Sequence, residues 1–142
     1  MDTLTTQQAG DRANEHIKNA VDALPDNPSL RTKNIVNDTM ECKDPSDNGP
    51  RGRYTIYKSY WLKDIPKNHN TELVDTLYQY WKNNNYRILA NQRSRDDKFI
   101  SVQHNEDAFR MSVDEDDHGT LALGASSPCV WPDGTPPPST DR

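Results

Sequence analysis

No stretch of this chain approaches the roughly 18 consecutive apolar residues that a membrane-spanning helix needs, so nothing in it reads as a transmembrane segment. It opens Met1-Asp2-Thr3-Leu4, without the charged and apolar regions of a signal peptide. Cys-x-x-Cys, His-Glu-x-x-His and Gly-rich phosphate loops are all missing, which removes the common zinc, metalloprotease and nucleotide-binding signatures. Apolar residues are scarce, at 32% of 142 residues. Ordinary globular chains hold roughly 45–50%, a figure that includes glycine. Mean hydropathy is -1.06. A chain of one domain's length and this polarity buries a small core, so part of it stays unstructured or the core needs help.

Positive charge is also in short supply. The net charge is -5, which argues against a nucleic-acid partner, since those are met by basic faces. Arg87, Arg93, Arg95 and Lys98 lie close in sequence but read as strand ends and a turn.

What is present is periodicity. Thr5 and Gln8 fit a capping box. Ala13, Ile17, Ala20, Val21 and Leu24 then recur at helical spacing until Pro25, which predicts a helix over 6–24 with a core-facing seam. Residues 25–50 are rich in Asp, Asn, Pro and Ser and read as loop, with a short extended piece at 33–37. Residues 53–62 alternate as a first strand, with aromatics on both faces. Asn70 or Thr71 caps a second helix over 71–83, striped by Leu73, Val74, Leu77, Tyr78 and Trp81 and stopped by Asn83-Asn84-Asn85. A strand, a helix and a strand in succession predict a crossover, right-handed if the strands pair in parallel. From Tyr86 to Trp131 the chain reads as consecutive strands, with turns at 95–97, 105–107 and 114–119.

The expected architecture is therefore α+β: an antiparallel-rich sheet of four to five strands with two helices, the second crossing between the first and second strands. A flexible N-terminus over 1–5, a single domain over 6–131 and a disordered Pro-rich tail over 132–142 complete the expectation.

Candidate chemistry is thin. Asp114, Asp116, His118 and Gly119 imitate the start of a calcium loop, but His118 stands at its fifth place and Ala125 at its twelfth, so they read as a hairpin tip. His16, His69, His104 and His118 show no metal-ligand spacing with the cysteines. Ser126-Ser127 lacks the nucleophile elbow. Glu106 and Asp107 sit in a turn and read as solvated. The aromatics Tyr54, Tyr57, Tyr60, Trp61, Tyr78, Tyr80 and Trp81 could stack on bases or sugars, but read first as core between helix and sheet. No catalytic, cofactor-binding or metal residue emerges, and no cofactor is expected.

The two cysteines, Cys42 and Cys129, stand far apart in loop or strand-end settings and suit one disulfide. Closing so long a loop stabilises by roughly 4–5 kcal/mol in the chain-entropy model. The alternative is a pair of free thiols in a cytosolic protein. A disulfide implies an oxidising, extracytoplasmic setting.

Tyr86-Arg87-Ile88 after an asparagine-ended helix, then Asp107-Ala108-Phe109-Arg110-Met111-Ser112-Val113, then Ser127-Pro128-Cys129, resembles a family of small, uncharacterised actinobacterial lipoproteins. The resemblance spans most of residues 6–131 and includes both cysteine positions. It implies a lipid-anchored, extracytoplasmic domain whose leader and lipidated cysteine are not in this chain, and it brings no catalytic residues. If Met1 is the native start, the cytoplasm is expected instead. The leading expectation is a non-enzymatic module that binds a protein or cell-envelope component, touching membrane only through that anchor. The alternative is an inhibitor or immunity-type protein directed at an enzyme or toxin, which the acidic stretch 114–117 would favour. An enzyme is the least expected.

Overall fold

The computed structural model describes residues 3–25, 28–32, 39–42, 52–93 and 97–136. Among these residues it is an α+β fold of two α-helices on a seven-stranded, wholly antiparallel sheet. In chain order the elements are α1 (Thr6–Asp22), β1 (Ser29–Thr32), β2 (Thr39–Glu41), β3 (Tyr54–Lys63), α2 (Asn70–Asn83), β4 (Tyr86–Gln92), β5 (Phe99–His104), β6 (Arg110–Glu115) and β7 (Leu121–Ser126).

Helix α1 starts where its capping box allows. The Thr5 side chain accepts the Gln8 N–H and the Gln8 side chain accepts the Thr5 N–H. Its buried seam is made of Ala9, Gly10, Ala13, His16, Ile17 and Ala20. Small residues there let the helix lie close to the sheet; a Cβ on Gly10 would stand 3.4 Å from Lys58 Cε. That contact explains why Lys58 interrupts the apolar face of β3: its stem runs beneath the helix.

Helix α2 buries Leu73, Val74, Leu77 and Trp81 and ends before Asn85, whose φ of 71° is the left-handed turn the asparagine run predicts. Asn70 does not cap it, however. Asn70 is buried, and its Nδ2 donates to Glu115 Oε2 at 2.8 Å and to the Gly119 carbonyl at 2.7 Å, tying the helix start to the β6–β7 hairpin.

The strand order is β1-β3-β7-β6-β5-β4, with β2 also on β3. One sequence expectation is corrected here. The sheet has seven strands rather than four to five, because β1 and β2 fall in the polar stretch read as loop. They are short edge pieces that need no buried face to form. The extended piece expected at 33–37 lies outside the described residues. Helix α2 makes the crossover between β3 and β4, which do not pair: β7, β6 and β5 lie between them. Helix α2 carries the chain across to the far edge, and the β4-to-β7 meander folds back until β7 pairs with β3.

Both helices cover one face of the sheet. Ile17, Leu77, Trp81, Ile100, Val102, Phe109, Met111, Val113 and Leu123 form the centre of the core. The tethered part also extends past the expected boundaries at 6 and 131. Thr3 N–H donates to the Gly134 carbonyl at 2.8 Å, and Thr6 N–H to the Pro132 carbonyl at 3.2 Å. Residues 137–142 of the Pro-rich tail lie outside the described residues.

Candidate functional site

Two features meet at the end of the sheet where α1 crosses the β5–β6 turn. The first is a polar relay with His16 and Tyr86 buried at its centre. Arg12 and His16 sit one turn apart on α1, Tyr86 begins β4, His104 ends β5, and Asp107 lies in the turn between β5 and β6. His16 Nε2 lies 2.8 Å from Asp107 Oδ2, and Arg12 Nε donates to the same oxygen at 2.9 Å. His16 Nδ1 bonds the Tyr86 hydroxyl. The Phe109 N–H donates to Asp107 Oδ1 at 3.0 Å, and Arg12 Nη1 pairs with Glu15 at 2.7 Å. One tautomer satisfies every partner: Tyr86 O–H donates to Nδ1, and Nε2–H donates to the ionised carboxylate. The rings support it, with His16 stacked on Phe109 at 5.3 Å and Tyr86 edge-on to His104 at 4.8 Å.

The electrostatics agree. Burial pushes His16 below its ordinary value, against the upward pull of Asp107. Asp107 is held below the usual carboxylate range. Its partial burial opposes this, but the Phe109 N–H, His16 and Arg12 together outweigh that cost. Burial raises the Tyr86 phenol, and the bond to Asp107 raises Arg12.

In order, Tyr86, His16 and Asp107 imitate a nucleophile, base and orienting acid. The imitation stops there. The Tyr86 side chain is buried and its proton is held more tightly than usual. The bonds pin α1, β4 and the β5–β6 turn together.

Sequence reasoning placed Asp107 in solvent; the structure corrects this. Only 19% of its side chain is exposed, because α1 lies over the turn. Glu106 is exposed, as expected, and accepts from Asn85 Nδ2 at 2.8 Å. The signal available was His16 itself, which stands three after Ala13 and four before Ala20, inside the apolar seam.

The second feature is an open groove of about 660 Å³ against the same helix. Leu4, Phe109, Pro128, Cys129 and Val130 give it an apolar floor, and Asp11, Arg12, Glu15 and Asp107 form a charged wall. It draws on three distant parts of the chain. Cys129 carries the expected disulfide there: Cys42 and Cys129 are bonded, with Cα atoms 6.2 Å apart.

The other candidates resolve into structure. Asp116 Oδ1 accepts from the His118 and Thr120 N–H groups, both at 2.9 Å, as a hairpin-tip carboxylate does. Glu115 is occupied by Asn70 and by the Lys98 N–H, so the acidic stretch 114–117 is largely engaged internally. The Ser127 hydroxyl accepts from the Ile56 N–H at 2.9 Å and donates to the Pro128 carbonyl at 2.7 Å. Arg93 lies 3.7 Å from the Tyr78 ring centre and pairs with Asp75 at 3.0 Å, a staple rather than part of a basic patch. Arg95 lies outside the described residues. Of the aromatics, Trp81 is core, while Tyr54, Tyr57, Tyr60 and Trp61 are half-buried. Among the described residues, no three His, Cys, Asp or Glu side chains are grouped so as to hold a metal ion, and no helix is long and apolar enough to cross a membrane. No known protein family, curated protein or solved structure matches this chain.

Proposed function

We propose that this chain is a non-enzymatic binding domain that works outside the cytoplasm, held at the envelope by an N-terminal lipid in its native form. In this reading the groove beside α1 receives a protein or envelope component. The groove is the observation that carries it: an apolar floor walled by charge is the usual anatomy of a recognition site. The Cys42–Cys129 disulfide supports an oxidising compartment. The anchor rests on the short motifs, Ser127-Pro128-Cys129 among them, that resemble those of small actinobacterial lipoproteins. The burial of Tyr86 supports binding over catalysis, since the hydroxyl that His16 holds is closed to a substrate.

Photo-crosslinking tests the groove. A photoreactive residue at Leu4 is expected to capture a partner in intact envelopes, while one at Glu72, exposed on α2, is not. Equal capture from both positions, or none from Leu4, would overturn the reading. Palmitate labelling of the product of the full-length gene tests the anchor; no incorporation removes it.

A further inference from the structure

We infer that the groove takes an extended segment of a protein partner, paired through its main chain with Cys129 and presenting an apolar side chain next to a lysine or arginine. This rests on the binding role proposed above and names the chemistry of the partner.

The main-chain argument starts at β3. Tyr54 and Val130 exchange both backbone hydrogen bonds, each at 2.8 Å. In an extended segment the polar groups of successive residues alternate in direction. Val130 therefore faces β3, and Cys129 and Trp131 face away from it. The Trp131 N–H is taken by Thr3 Oγ1 at 2.8 Å. The N–H and C=O of Cys129 have no partner among the described residues. Cys129 is part of the groove floor, and facing away from β3 its backbone has one donor and one acceptor left to offer. That is the pair an antiparallel strand residue exchanges with its opposite number. Pro128 before it has no N–H, and its carbonyl already accepts the Ser127 hydroxyl.

Charge then selects among peptides. The groove is lined by three carboxylates, Asp11, Glu15 and Asp107, against one cation, Arg12. Arg12 is spent on Asp107 and Glu15. Asp11 has no ion pair among the described residues and stands one helical turn from Glu15. A cationic side chain is attracted there and an anionic one repelled. The floor of Leu4, Phe109 and Val130 takes the neighbouring apolar side chain.

The test pans a phage-displayed library of random linear peptides against the oxidised chain, then measures synthetic copies of the selected peptides by titration calorimetry. The selected set is expected to place an apolar residue beside Lys or Arg. Asp11→Lys should weaken binding by about tenfold, while Glu72→Lys on the exposed side of α2 leaves it unchanged. Changing the peptide's cation to glutamate should recover affinity for the Asp11→Lys protein. Methylating the peptide amide that meets Cys129 should cost about five- to tenfold. Anionic selected peptides, no selected family, or binding indifferent to both Asp11→Lys and amide methylation would each overturn the inference. So would binding seen only once Met1 and Asp2 are removed, which makes the chain its own occupant, or a dimer in sedimentation that peptide does not dissolve. If Leu4 still crosslinks a partner when the peptide chemistry fails, only this inference is lost. If Leu4 captures nothing, the proposed function falls with it.

Discussion

Ala108 has a φ of 62°, in the left-handed region, immediately after the Asp107 that anchors the relay. Its N–H returns to the His104 carbonyl at 3.1 Å, and the reversed backbone brings the Phe109 N–H onto Asp107. A residue with a Cβ is disfavoured there by about 1–2 kcal/mol. Ala108→Gly should therefore raise stability by up to about 1 kcal/mol after the added freedom of the unfolded chain is subtracted. At an ordinary site the same change lowers it, so urea midpoints decide between the two. His16 yields a second prediction. Its folded value lies below the ordinary 6.5, so the unfolded chain binds more protons as pH falls below that point. Its contribution is complete above about pH 6.5 and is lost as pH falls toward the folded value. The largest physical cause is burial of the ring, which disfavours the charged form. Arg12 and His104 oppose the added charge, and Asp107, which favours it, does not outweigh burial. Denaturation midpoints should drop between about pH 7 and pH 5, and His16→Gln should flatten that slope. An unchanged slope in the variant would assign the effect elsewhere. The window of Asp107 lies lower, below its ordinary 3.8.

At the scale of the element, α1 is held by geometry more than by large side chains. Ala9, Gly10, Ala13 and Ala20 bring its backbone close to β3 and β7, and Ile17 is the one large aliphatic residue its buried seam supplies. Glycine is a poor helix residue, by about 0.8–1 kcal/mol against alanine. A methyl at Gly10 would reach only ordinary contact with the flexible stem of Lys58, at 3.4 Å. Gly10→Ala should therefore stabilise by about 0.5–1 kcal/mol. Gly10→Leu should destabilise, since a larger group must lift the helix from the sheet and strain the Arg12 and His16 bonds with it. Thermal melts of the two variants moving in opposite directions is the expected result. A loss for alanine would mean that the helix lies tighter on the sheet than the 3.4 Å contact allows.

For the whole molecule, the elements were legible where a period persists. The seam of α1, the stripe of α2, the alternation of β3 and the meander after Tyr86 each follow from spacing. The cysteine pair followed from its placement. Strand order was not legible, because nothing in β7 marks β3 as its partner; the choice is made by helix α2 carrying the chain across the sheet. Strands β1 and β2 were missed because edge strands of three and four residues bury too little to leave a pattern. The candidate site was the least legible part. Leu4, Asp11 and Cys129 share a groove only after the sheet closes, and Asp107 becomes half-buried only when α1 lies over it. That closure converges on the disulfide. Cys42, whose N–H bonds the Arg53 carbonyl at 2.9 Å, follows β2 on one side of β3, and Cys129 precedes the Val130 bridge on the other. The bond therefore clips both flanks of the strand at its start. Opening a loop of 87 residues returns roughly 4–5 kcal/mol of freedom to the unfolded chain in the entropy model. A domain's whole stability is about 5–15 kcal/mol. Replacing both cysteines by serine should bring the domain close to unfolding and expose the Tyr54 and Val130 amides to hydrogen exchange before those of β5 and β6. The groove floor at Cys129 would then loosen first, so peptide affinity should fall under conditions where the core strands remain protected. An unchanged midpoint and unchanged protection at Val130 would show that the small core holds the sheet without the clip.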